Sequence, residues 1–248
     1  MSNDHIVRSF AQELQRVSNL LSQMGGVAEA QVAAAVKAVA RRDTALAAQV
    51  IQADARLDAY ERAIDAEAIR LLALRQPMAR DLREIVGALK ISADLERIGD
   101  YAANIAKRSL ALSQGPAIAP TAGIGRLGRL VEAILKDVLD SYSERDVAKA
   151  VAAWRRDEEL DALHTSLFRE VLTCMMEDPR TIGACTHLLF MAKNLERIGD
   201  HATNVAETIH FLVVGEALTM ERPKGDASSL MEGPPAGQPE SRQEVETP

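Results

Sequence analysis

Glu96, Asp100 and Asn104 stand four residues apart, as do Glu196, Asp200 and Asn204, and two shorter rows, Asp54–Asp58 and Asp157–Asp161, precede them in the chain. Residues four apart on an α-helix lie one above another on one face, so each row aims its oxygen donors in one direction. Two such rows facing each other on antiparallel helices would make a cluster of hard oxygen ligands with room for cations and their waters. The ordinary reading of a single acidic pair is a solvated helix face, where like charges cost only about 0.2–0.5 kcal/mol. Four pairs at corresponding places weigh against that reading. Arg97 and Arg197 weigh for it, because each can reach the aspartate three residues on and neutralise it.

The correspondence comes from a repeat. Leu95–Asp100 and Leu195–Asp200 both read LERIGD, and Asp100-x-Ala-x-Asn104-x-Ala matches Asp200-x-Ala-x-Asn204-x-Ala. Pro77 and Pro179 precede these segments, Asp43 and Asp146 precede the Asp54 and Asp157 rows, and Glu29-Ala30 and Glu132-Ala133 come earlier still, in the same order. The chain therefore reads as a duplication of one small helical unit. Gly99 and Gly199 fall mid-helix, where glycine is locally unfavourable and points to close approach of another backbone or a ligand, helix packing being the more ordinary cause. His201 and His164 are expected at exposed polar positions, His164 with a lesser claim as a peripheral ligand.

The elements that must carry these rows are helices. Nothing alternates at period two, and aromatic residues are only 3% of the chain, so the fold class is all-α. The pattern predicts one helix over Ile6–Arg41 with a soft spot at Gly25-Gly26, a second from Asp43 to Arg75, and a third opened by Pro77. Ser113–Gly125, with two prolines and three glycines, reads as a linker. The second half repeats the plan over Ile124–Ser141, Asp146–Glu177 and Pro179–Val214. Short connections make neighbours antiparallel, which gives two tandem three-helix bundles, each with its own core. The expected divisions are 1–115, 116–218 and a disordered acidic, Pro-rich tail over 219–248.

Charge and composition narrow the function. The net charge is −7, but Glu216–Pro248 alone holds seven acids against three bases, so the rest is nearly neutral and gives no support to nucleic-acid binding. No long uncharged run or apolar leader is present, which predicts a cytoplasmic protein without direct membrane insertion. Cys174 and Cys185 lack metal-site spacing and read as two buried free thiols. Glu207-x-x-His210 has no counterpart in the first half, which argues against di-iron oxidase or ferritin-like chemistry. There is no phosphate loop and no Ser/His/Asp arrangement.

The paired LERIGD segments, Arg75-Gln76-Pro77, and Met175-Met176-Glu177-Asp178-Pro179-Arg180 resemble the PhoU family of bacterial phosphate-signalling regulators, over about residues 8 to 215. The resemblance implies two three-helix bundles related by a pseudo-twofold axis. It implies surface metal sites that hold a multinuclear cluster, iron or zinc, at Asp54, Asp58, Glu96 and Asp100 and at Asp157, Asp161, Glu196 and Asp200, with Asn104 and Asn204 adjacent. It further implies a homodimer that is not an enzyme and that negatively regulates the phosphate-starvation response and phosphate uptake. In that role it would link the ATPase PstB of the phosphate ABC transporter to a PhoR-type sensor kinase. The alternative from another class is a carboxylate-cluster metalloenzyme, a hydrolase or oxidase.

Overall fold

The computed structural model describes residues 2–75 and 77–220, with side chains from Phe10 onward. Among these residues every regular element is helical: α1 (Ser2–Arg41), α2 (Thr44–Arg75), α3 (Ala79–Leu112), α4 (Thr121–Glu144), α5 (Val147–Arg155), α6 (Asp157–Glu177), a short 3-10 turn over Pro179–Thr181, and α7 (Ile182–Val214). The expected disordered tail lies, from residue 221 on, outside the described residues.

The repeat is visible in the turns. Arg42 ends the first helix in the left-handed region, φ 54°, and Arg145 does the same after α4, φ 56°. Asp43 then accepts a hydrogen bond from the Leu46 N–H at 2.9 Å, and Asp146 from the Lys149 N–H at 3.0 Å. Each caps the helix that follows. The prolines act differently from expectation. Pro77 stands outside α3, which begins after Met78, and Pro179 opens the 3-10 turn, where Asp178 accepts from the Arg180 N–H at 3.1 Å.

Three boundaries depart from the pattern for packing reasons. Gly25-Gly26 does not interrupt α1, because Gly25 is buried and a methyl group there would lie 2.7 Å from Leu139 Cδ2 on α4. The glycine is a contact point. The linker is shorter than expected, since α4 starts at Thr121 and buries Gly123 and Ile124, Gly123 leaving space that Leu167 fills. The long helix foreseen over Asp146–Glu177 is broken at Arg156, whose guanidinium pairs with Asp137 of α4 at 3.1 Å.

Helices α1, α2 and α3 pack pairwise as one bundle, and α4, α5/α6 and α7 as another. The two lie side by side through α3 against α7, the broadest helix pair, and α1 against α4. Both pairs run antiparallel: Gly87 near the start of α3 faces Leu212 near the end of α7, and Ser18 of α1 bonds Tyr142 of α4 at 3.2 Å. A methyl on Gly128 of α4 would lie 2.6 Å from Val36 of α1, the mirror of the Gly25–Leu139 contact, each partner displaced by 103 positions. That reciprocity is the mark of a pseudo-twofold axis between α1 and α4. The seam also merges the interiors. Buried side chains from Val17 to Leu212 form one continuous cluster where the repeat led us to expect two. No helix among the described residues is long and apolar enough to cross a membrane.

Candidate functional site

In the first bundle, α2 and α3 run antiparallel and locked by Leu57, which packs into the space above Gly99 where a methyl group would overlap its Cδ1. The close approach brings the acidic rows together. Asp54 on α2 feels the charge of Asp100 on α3, and Glu96 on α3 feels the charges of Glu61 and Asp58 on α2. Burial pushes the Asp54 carboxyl above the ordinary carboxylate range; the Gln31 amide, donating at 3.4 Å, pulls it back, and the charges of Asp100 and Asp58 push it further up. Glu96 is raised by burial and then by Asp100, against the pull of Arg97. Arg97 sits 3.5 Å from Glu96 and 3.1 Å from Asp100, as the sequence suggested, and Arg62 lies 3.8 Å from Asp58. These cations neutralise the patch only in part, since Glu61 is also raised, first by burial and then by Asp65 and Asp58. Glu61 is thus a member of the patch that the four-residue spacing missed, although it stands one turn beyond Asp58.

The corresponding region of the second bundle is buried. Leu160 fills the space above Gly199 as Leu57 does above Gly99, and Asp157, Asp161, His164 and Glu196 are between 3% and 7% exposed. Lys193 reaches Glu196 Oε1 at 2.8 Å. Expected as an exposed position, His164 is in fact inside, because it takes the Glu61 position on a helix that is closed against α7. The two halves therefore offer similar carboxylates in different settings, a half-open acidic face and a closed cluster with an imidazole.

The two asparagines differ in setting. Asn104 is exposed, and Asn204 donates instead to Asp94 Oδ1 of α3 at 3.4 Å. Eight residues of α-helix turn through about 80° relative to the first, which carries Asn204 away from Glu196 and into the seam. His201, also expected at the surface, joins it there, with Nδ1 2.7 Å from the same Asp94 oxygen. Arg197 lies across the seam, 5.6 Å from the Tyr101 ring centroid.

The donor chemistry suits a cation: four to five carboxylates in one face of the first bundle, carboxylates with a histidine in the second, and raised acids that positive charge would relieve. Among the described residues, however, no three His, Cys, Asp or Glu side chains converge on one point where a metal ion would sit.

Comparison with known proteins matches the same two units. The family model described as PhoU domain matches residues 21–109 and again 124–209. The chain is 56% identical over 227 residues to the phosphate-specific transport system accessory protein PhoU homolog of Caulobacter vibrioides, covering 91% of this chain and 99% of that one. It is 51% identical over 232 residues to the homolog of Rhizobium meliloti, covering 93% and 98%. Among solved structures, PhoU from Pseudomonas aeruginosa superposes with a TM-score of 0.81 at 39% identity, covering 84% of this chain and all of that one. The phosphate transport system regulatory protein PhoU from Streptococcus pneumoniae gives 0.78 at 28% identity, covering 85% of this chain.

Proposed function

Because the chain belongs to the PhoU family, we propose that it is a negative regulator of the phosphate-starvation response and of phosphate uptake, working as an adaptor between the ATPase of the phosphate ABC transporter and a PhoR-type sensor kinase. The observation that carries this reading is the double PhoU match together with near-complete coverage of accessory proteins of phosphate-specific transport systems. An adaptor acts by docking. The ends of the helical hairpins carry exposed large apolar side chains, Leu74, Met78 and Leu82 at one and Met176 and Ile182 at the other, the type of surface that partners cover. A cytoplasmic location and a homodimer belong to the same proposal, as does the absence of catalysis by the chain itself.

Metal is a second element of the proposal. Asp54, Asp58, Glu96 and Asp100 would hold a cluster on the first bundle, and Asp157, Asp161, Glu196 and Asp200 on the second, iron and zinc being the metals the family resemblance implies. The bound metal would supply positive charge that draws the two helices of each site together.

The decisive experiment is deletion of the gene. Strains without it should express phosphate-starvation genes, an alkaline phosphatase for example, in phosphate-rich medium, and the wild-type gene should restore repression. Unchanged repression in a strain with no second copy of the family would sink the regulator reading.

A further inference from the structure

The two cysteines, read from sequence as two buried free thiols, meet at the joint between α6 and α7. Cys174 Sγ lies 3.8 Å and Cys185 Sγ 3.7 Å from one hydroxyl, Oγ1 of Thr181. That hydroxyl is itself fixed by the Asp178 carbonyl at 2.7 Å. Burial pushes the Cys185 thiol above the ordinary thiol range; its hydrogen bond with Thr181 pulls it back, and Cys174 pushes it up. Both sulfurs thus contact the same hydroxyl at this joint.

Packing alone does not call for sulfur here. With α2 and α6 displaced by 103 positions and α3 and α7 by 100, the counterparts of Cys174 and Cys185 are Leu71 and Ile85, an apolar pair buried to 1% and 0% exposure. The first bundle closes the same joint with hydrocarbon. The second closes it with two groups that can react with each other, one half-buried and within reach of solvent, the other fully enclosed.

We propose that Cys174 and Cys185 are a redox modification site, a dithiol that a peroxide converts to an intramolecular disulfide clamping the end of α6 to the start of α7. The Cys174 thiol gives up its proton and the thiolate attacks one peroxide oxygen; the O–O bond breaks, the leaving hydroxide takes up that proton and departs as water, and Cys174 is now a sulfenic acid. The Cys185 sulfur then attacks the Cys174 sulfur; the S–O bond breaks and a second water departs with the Cys185 proton. Two thiols are oxidised by two electrons and hydrogen peroxide is reduced to two waters. In a reducing compartment such a bond is transient and reversed by thiols, which suits a sensor rather than a staple.

Trypsin cleaves after Arg169, Arg180 and Lys193, so the two cysteines fall on separate peptides, Glu170–Arg180 and Thr181–Lys193. The full chain, treated with hydrogen peroxide, alkylated and digested without reductant, should yield these two peptides joined as one species that dithiothreitol separates. Cys174→Ala should abolish the linked species, and in Cys185→Ala dimedone should trap Cys174 as sulfenic acid. Should Cys185→Ala fail to fold, the wild-type map still decides. Alkylation of both cysteines after peroxide, a disulfide joining Cys174 of two chains, or sulfinic acid at Cys174 with Cys185 still alkylated would each overturn the proposal.

Discussion

Asp54 condenses the electrostatics of the first site into one side chain. Its folded acidity is weakened by burial first, with neighbouring negative charges adding to the effect, and Glu96 behaves alike. A carboxyl that holds its proton more tightly in the folded chain stabilises the fold below about pH 4, where the unfolded chain is also protonated, and loses that contribution as pH rises through its raised folded value. At neutral pH the ionised patch therefore costs stability. Asp54→Asn, which keeps an acceptor for Gln31, should raise the melting temperature at pH 7 by on the order of a few degrees and make little difference at pH 4; thermal denaturation at the two pH values checks it. The metal proposal makes a separate statement. Replacing Asp100 and Asp200 by Ala should remove most bound iron or zinc while leaving helicity unchanged, read by elemental analysis and circular dichroism. Full metal content in the double variant would leave the rows as acidic faces with no ligand role.

Among the elements, glycines decide how closely helices approach. The buried Leu57 and Leu160 occupy the space beside Gly99 and Gly199, so an added methyl at either glycine forces a buried leucine to shift within a close-packed interior. Gly99→Ala and Gly199→Ala should each destabilise by about 1–3 kcal/mol in denaturant titration. Gly26 is the internal control. It is exposed, with no neighbouring atom within 4 Å of where its methyl would be, and Gly26→Ala should stabilise by up to about 1 kcal/mol through helix propensity alone. The mid-helix glycines of the LERIGD segments were conspicuous in the sequence, yet a ligand and a packed leucine leave the same mark there. The break at Arg156 left none: α5 and α6 share an apolar periodicity that continues across it, and at the break Arg156 pairs with Asp137 of a neighbouring helix.

For the whole molecule, the merged core predicts that the halves do not melt apart. Burial shared across α3 against α7 and α1 against α4 couples them, so unfolding followed by circular dichroism and by Trp154 fluorescence should give one coincident transition. Two separated transitions would show independent bundles. The end of the chain yields another test. Leu218 packs against the core, so a truncation placed after Met220 keeps every apolar contact described here and removes a segment whose composition cannot form a core. That truncated chain should restore repression in the deletion strain as well as the full one.

Duplication, all-helical class and the caps at Asp43 and Asp146 were legible in the sequence because each rests on local signals: an identical hexamer, a helical period, an acceptor side chain at a helix start. The acidic rows were legible for the same reason, since spacing along one helix fixes which residues share a face. Which faces meet is a different matter. Asp94 bonding His201 and Asn204, Glu61 joining the first patch, His164 buried in the second, and Cys174 beside Cys185 all depend on the angle and register between helices far apart in the chain. Those are set by how side chains of unequal size fill one shared interior, with Leu57, Leu160, Val36 and Leu139 pressed against glycines. Local periodicity constrains each helix alone; the joint packing that places one helix on another exists only once the whole core has closed.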